Sequence, residues 1–237
     1  MNGREPSMLS PRERVAASDL TGLILAGGAS RRMGRRNKAF LELGGRPLIA
    51  LVMERMQGVC AEVLIVAGDT RPYTALGVPV VEDRFRGVGV LDGLHAGLEA
   101  ASHETALVVG CDMPFLNPAL LRAFAGWVEG FDVAVLRHDP ALPVPAGHPL
   151  PVTGGIEGGR YVEPLHAAYR RTCLPAIEAA IQAGERRIVS FFPQVDVHYV
   201  APDEAASLDP GLDSFRNVNT PEEWAAVQTE WPARGGS

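Results

Sequence analysis

The chain has 237 residues, of which 46% are hydrophobic and 21% charged, and a formal net charge of −6. That length supports one sizeable core, and the balanced charge excludes a disordered chain. The acidic sign supplies no global field for nucleic acid or an anionic membrane surface.

The three cysteines, Cys60, Cys111 and Cys173, form no Cys-x-x-Cys pair. A structural zinc site is therefore not expected, and reduced thiols in a cytoplasmic protein are. Residues 1–20 carry Arg4, Arg12 and Arg14 but no apolar segment, so they read as a flexible polar extension and not as a secretory leader. No apolar run reaches the roughly 18 residues of a membrane span. The folded unit is expected over 21–230, with a short tail at 231–237.

The first strand is expected at 22–25. It runs directly into Leu25-Ala26-Gly27-Gly28-Ala29-Ser30-Arg31-Arg32-Met33-Gly34-Arg35-Arg36-Asn37-Lys38. Glycines after a strand let backbone N–H groups approach a phosphate. Arg31, Arg32, Arg35, Arg36 and Lys38 then make a local anion trap on an acidic protein. The Walker pattern is excluded, because five residues separate Gly28 from Gly34 and Arg35 follows where lysine is required; the dinucleotide Gly-x-Gly-x-x-Gly pattern is also missing.

A helix is expected at 47–56, then strands at 63–66 and 78–81. The second of these ends in Glu82-Asp83. Gly89, Gly93 and Gly97 recur every four residues along a helix at 91–101, a spacing that suits close backbone packing. A strand at 106–110 delivers Cys111-Asp112-Met113-Pro114 to the sheet edge. A carboxylate there faces the same edge as the glycine loop, and magnesium takes one or two carboxylates plus substrate phosphates, so Asp112 is the candidate Mg2+ ligand. Asn117-Pro118 and Thr220-Pro221 mark the starts of helices at 118–128 and 221–228, and Glu223 completes a capping-box spacing.

A strand at 133–136 precedes a stretch rich in proline and glycine, 140–159, which reads as a long surface loop or lid. A helix at 174–183 and a strand at 197–200 follow. Asn217-Val218-Asn219 comes just before the last helix. Two asparagines spaced by two share one side of an extended segment, where they can serve a substrate or simply fix the turn. The strands are apolar throughout with little alternation, as in strands buried on both faces. The expected fold class is α/β: a single-domain, Rossmann-like open sheet, mostly parallel, with helices on both faces.

These motifs, in this order from about residue 21 to 228, resemble the small nucleotidyltransferases of the MobA type, the molybdenum cofactor guanylyltransferases. The pattern Leu-Ala-Gly-Gly-x-x-x-Arg-Met-Gly, with lysine four residues later, is met by Leu25 to Gly28, Arg32-Met33-Gly34 and Lys38. Cys-Asp-x-Pro is met at Cys111 to Pro114, and Asn-Val-Asn-Thr-Pro at Asn217 to Pro221. One departure is Val90, which stands where the family usually has proline.

The resemblance implies that Leu25, Ala26 and Gly27 touch a nucleotide through their backbone, and that Lys38 neutralises phosphate. It counts Arg32 with Lys38 and Asp112 in the catalytic set. It places Asp83 in the nucleotide site, Mg2+ on Asp112, and Asn217 and Asn219 on the cofactor-substrate side. The segments Glu163 to Tyr169 and Gly184 to Ile188 resemble family segments on that side too, with Arg186 or Arg187 offered to a phosphate and His166 read as structural. The implied substrates are GTP and molybdenum-molybdopterin. The implied partners are molybdenum insertion proteins and apo-molybdoenzymes, with no nucleic acid and no membrane. Two rivals stay open at this point: a CTP-dependent or other small nucleotidyltransferase, and a non-catalytic carrier of the cofactor.

Overall fold

A computed structural model describes residues 19–26, 37–83, 89–139, 155–157 and 160–231. Ten strands and six α-helices occur among them: β1 (Leu20–Leu25), β2 (Glu42–Leu43), β3 (Arg46–Pro47), α1 (Leu48–Gln57), β4 (Glu62–Ala67), β5 (Val80–Glu82), α2 (Val90–Ala100), β6 (Thr105–Gly110), α3 (Pro118–Trp127), β7 (Val133–His138), β8 (Gly155–Glu157), β9 (Arg160–Arg170), α4 (Leu174–Gln182), β10 (Val197–Val200), α5 (Pro202–Ala206) and α6 (Pro221–Glu230).

The main sheet has the order β10-β7-β9-β6-β1-β4-β5, with β8 hairpinned onto β9, and β2 and β3 form a separate small ribbon. The pairs β1–β4, β1–β6, β4–β5 and β7–β10 are parallel. Only β9 runs against the grain, between β6 and β7. The sheet is buried on both faces, which is why the strands read as unbroken apolar runs. In β4, Val63, Ile65 and Ala67 face one core with α1 and α3, while Leu64 and Val66 face the other with α2 and α4.

Gly97 shows why α2 carries glycine. A Cβ there would lie 2.8 Å from Leu23 Cδ1 and 3.1 Å from Val66 Cγ2, so the helix lies almost directly on β1 and β4. Gly89, by contrast, caps the helix with a φ of 90° and is not on that face. Both expected caps form: Asn117 accepts from the Ala119 N–H, and Thr220 and Glu223 make the reciprocal capping box.

The sequence reading needs correction in three places. Residues 155–157, read as part of a loop, form β8 against Arg160 to Val162, while the rest of 140–159 lies outside the described residues. The segment containing Glu163 to Tyr169, where no strand is expected, lies in an eleven-residue strand with His166 and Tyr169 fully buried. Trp231, placed in the tail, packs on Phe115 with ring centroids 6.0 Å apart.

Candidate active site

From β1 the chain passes to β4 by way of α1 on one face and on to β5, and from β5 it crosses back to β6, on the other side of β1, by way of α2 on the other face. The crevice between the C-terminal ends of β1 and β6 is thus the topological switch point, where open α/β sheets bind ligands. Leu25 and Gly110 sit side by side in that register. The Cys111 N–H donates to the Leu25 carbonyl at 3.2 Å, so the turn bearing Asp112 is hung directly on the end of β1.

Three remote segments converge there. Lys38 opens a 3-10 turn, Lys38–Phe40, capped by the Asn37 side chain, which accepts from the Ala39 N–H. Its Nζ lies 3.8 Å from Asp112 Oδ2 and donates to Asn219 Oδ1. The backbone closes the same triangle, since the Val218 N–H donates to the Asp112 carbonyl at 3.0 Å. Val218 is buried between the two asparagines, which leaves Asn217 and Asn219 only partly covered on either side of it. Asn219 is held in turn from behind: the Glu223 carboxylate accepts from the N–H groups of Asn219 and Thr220, at 2.6 and 2.9 Å.

Burial pushes the Asp112 carboxyl above its ordinary range; the Lys38 charge pulls it back, and the nearby Glu223 charge adds to the rise. A carboxylate held in that state gains from a cation in addition to lysine. Asp112 and the amide oxygens at 217 and 219 are all oxygen donors, which suits a hard divalent ion that also uses substrate phosphate oxygens. Among the described residues no group of three or more His, Cys, Asp or Glu forms a cage of its own. A single carboxylate, still 19% exposed, is what such a shared site requires. Burial raises the thiol pKa of Cys111, next to Asp112.

The remaining expected residues fall as follows. The Ala26 N–H is committed to the Val66 carbonyl at 2.8 Å, so it continues the ladder and is not available to a phosphate. Asp83 follows β5 on the same edge, beside Gly68. It stands three strand positions from β6, about 14 Å away at the usual strand spacing. Arg186 and Arg187 are exposed beyond the end of α4. Gly27 and Arg32 lie outside the described residues. His166 is buried against Phe124 and Phe215, as a structural residue would be. No motif marks Tyr73, whose hydroxyl donates to the Ala26 carbonyl and accepts from Asn37 Nδ2.

Comparison with known proteins now decides the family. The MobA-like NTP transferase domain matches residues 22–198. The chain belongs to this family. A relative named probable molybdenum cofactor guanylyltransferase from Pelotomaculum thermopropionicum is 39% identical, over 86% of this chain and 89% of its own. A molybdenum cofactor guanylyltransferase from Desulfosudis oleivorans is 36% identical over 86% and 92%. Among solved structures, molybdopterin-guanine dinucleotide biosynthesis protein A from Archaeoglobus fulgidus superposes with a TM-score of 0.71 at 27% identity, covering 88% of this chain and 97% of that one. The 2-C-methyl-D-erythritol 4-phosphate cytidylyltransferase from Thermus thermophilus, at 20% identity and a TM-score of 0.62 over 90% and 98% of the two chains, shares the fold. This MobA-like chain is therefore an α/β nucleotidyltransferase, with Lys38 and Asp112 3.8 Å apart at its strand ends.

Proposed function

We propose that the chain transfers GMP from GTP to the terminal phosphate of molybdenum-molybdopterin, releasing pyrophosphate and forming the molybdopterin guanine dinucleotide cofactor. The observation that carries this reading is the meeting of Lys38, Asp112 and Asn219 at the switch point, three segments that share no local structure. Membership in the MobA-like family, with relatives named guanylyltransferases, supports the choice of reaction.

In the proposed reaction an oxygen of the acceptor phosphate attacks the α-phosphorus of GTP. A new P–O bond forms there as the bond to the β-phosphate breaks, and pyrophosphate leaves with the electron pair. The acceptor is already an anion near neutral pH, so no residue need remove a proton. The protein's task is to position and to neutralise. Lys38 reaches the phosphates as a compact charge on a flexible stem, and Arg32 joins it in the proposed catalytic set. Asp112 would hold Mg2+, which when bound supplies charge neutralisation on phosphate oxygens.

Leu25, Ala26 and Gly27 flank the nucleotide. The Ala26 N–H and carbonyl are both used within the protein, by the Val66 carbonyl and the Tyr73 hydroxyl, so its proposed contact with the nucleotide is through the methyl. Asp83 serves the end of the nucleotide away from the phosphates, which must then lie across β1 and β4. Asn217 and Asn219 face the acceptor. GTP and molybdenum-molybdopterin are the proposed ligands, molybdenum insertion proteins and apo-molybdoenzymes the proposed partners, and the cytoplasm the proposed compartment. All three cysteines are free thiols, which suits a reducing environment, and no helix of the described residues is long and apolar enough to cross a membrane.

The test is pyrophosphate release by the purified chain with magnesium and molybdenum-loaded molybdopterin, run separately with GTP, CTP, ATP and UTP. Release with GTP alone, together with a guanine dinucleotide product, is expected. Preference for CTP would move the chain to the sister activity, and cofactor binding without release from any nucleotide would make it a carrier.

A further inference from the structure

Tyr73 lies in the 3-10 segment Arg71–Leu76 that follows β4, well separated in sequence from the residues assigned to the site. It is 3% exposed. Its hydroxyl donates to the Ala26 carbonyl at 3.1 Å and accepts from Asn37 Nδ2 at 3.0 Å. Its ring stacks on Phe40, with centroids 5.5 Å apart and planes 29° apart. The direction of the second bond is not arbitrary. Asn37 Oδ1 is used by the Ala39 N–H, which leaves the amide nitrogen to face the tyrosine.

Ala26 is the last described residue before 27–36, and Asn37 the first after it. One buried hydroxyl therefore holds both flanks of the glycine- and arginine-rich stretch. It does so at a cost, because a hydroxyl taken from water must find its partners inside the protein. A phenylalanine would fill the same space against Phe40 without that cost. What the hydroxyl adds is a fixed separation between the end of β1 and the residue that caps the Lys38 turn. Burial also raises the phenol's pKa, so it stays a donor at any physiological pH.

We infer that Tyr73 is a positioning residue for the nucleoside triphosphate: its hydroxyl sets Ala26 against Asn37 and so fixes Lys38 in register with Asp112. The inference rests on the proposed reading that a nucleoside triphosphate binds at these strand ends. Tyr73 touches no substrate itself, and no motif marks it.

The experiment is calorimetric titration of GTP with magnesium into the purified full chain. Wild type is compared with Tyr73→Phe, Asn37→Ser and the double variant, with thermal unfolding recorded for each. Serine can still cap the Lys38 turn but is too short to reach the tyrosine. Ile177→Ala, on the far face of the sheet, controls for lost stability alone. Tyr73→Phe is expected to raise the Kd for GTP about tenfold, equivalent to about 1.4 kcal/mol. Asn37→Ser should act in the same direction, the double variant should show less than the product of the two effects, and Ile177→Ala should leave Kd unchanged. In turnover, KM for GTP should rise while KM for the acceptor stays put.

A Tyr73→Phe chain that is less stable but binds GTP like wild type would overturn the inference and leave the hydroxyl a purely structural group. If that variant fails to fold, Asn37→Ser decides alone, and unchanged affinity overturns the inference. Wild-type protein that binds no nucleoside triphosphate would overturn the proposed function, and this inference with it.

Discussion

His166 offers a sharp test of how the core is built. It pairs with Val109 across β6 and β9 and is fully buried. Its ring lies 5.2 Å from that of Phe124 and 4.5 Å from that of Phe215, and both ring nitrogens lack a hydrogen-bond partner. Burial disfavours the charged imidazolium and holds the pKa down to about 4, from the ordinary 6.5. In the unfolded chain the same histidine titrates near its ordinary value. Between those two values the unfolded state binds more protons than the native state, so stability is complete above the higher value and is lost as pH falls toward the lower one. The full effect, about 2.5 pH units, is worth roughly 3 kcal/mol, of which about 2 kcal/mol is spent between about pH 7.5 and pH 5. His166→Leu removes the titration while keeping an apolar side chain of similar size. It also removes two polar atoms that are buried without partners, so at neutral pH the variant should be at least as stable as wild type. Urea unfolding at the two pH values provides the assay. Wild type should lose about 2 kcal/mol more than the variant on acidification. Equal losses would mean that His166 is protonated or hydrated in the native state, and the reasoning would fail.

Two further predictions concern the site and its scaffold. Lys38→Ala and Asp112→Ala should each lower kcat/KM by about 100-fold or more, in line with the loss of one transition-state charge contact, while unfolding midpoints stay close to wild type; near-normal turnover in either purified variant would remove the role proposed for that residue. Gly97→Ala should destabilise the fold by about 1–3 kcal/mol in chemical denaturation, because the new methyl meets Leu23 and Val66 before the helix can gain from alanine's better propensity; a stabilised variant would show that α2 does not lie on the sheet as closely as described.

The parts of the fold that could be read from the sequence were those whose burial leaves a local imprint. All six expected strands and all five expected helices are present within a few residues of their expected limits, because two-sided burial writes long apolar runs and the helix caps carry their own chemistry. β9 was invisible for a physical reason. It contains Pro164, which cannot donate to a ladder, and its pairing with β7 advances from Val162 to Ala167 while β7 advances only from Arg137 to Val135. A strand interrupted by a bulge, with histidine and two alanines in its second half, carries neither alternation nor strong β-propensity. Its register is fixed by the ladders to β6 and β7 on either side, while within the strand the Tyr169 hydroxyl donates to the Pro164 carbonyl. The site divides the same way. Lys38, Asp112 and Asn219 stand in motifs with recognisable spacing. Tyr73 contributes a single hydroxyl from an irregular segment, and only the folded chain brings it to Ala26.

The closing of the site rests on a piece of structure apart from the two large cores. Lys38 leads into the β2–β3 ribbon and Asn219 leads into α6. These two elements share a small apolar cluster of Leu43, Leu48, Leu51, Val218 and Val227, with Trp231 set against Gly44 at the turn of the ribbon. Gly44 has a φ of 59°, so it meets two demands at once: the left-handed turn and the room for the indole. Arg216 braces the far end of α6 through the Glu230 carboxylate, at 2.6 and 3.1 Å, and lies over the Phe115 ring. Five buried residues hold this unit, whereas the sheet is held by two clusters several times larger. Local opening costs least where the fewest apolar contacts must be broken. Asn219 therefore stands on the part of the molecule that yields most readily, while Asp112, hung on the end of β1, and the Lys38 turn, whose Ala39 is buried in the larger core, stay with the sheet.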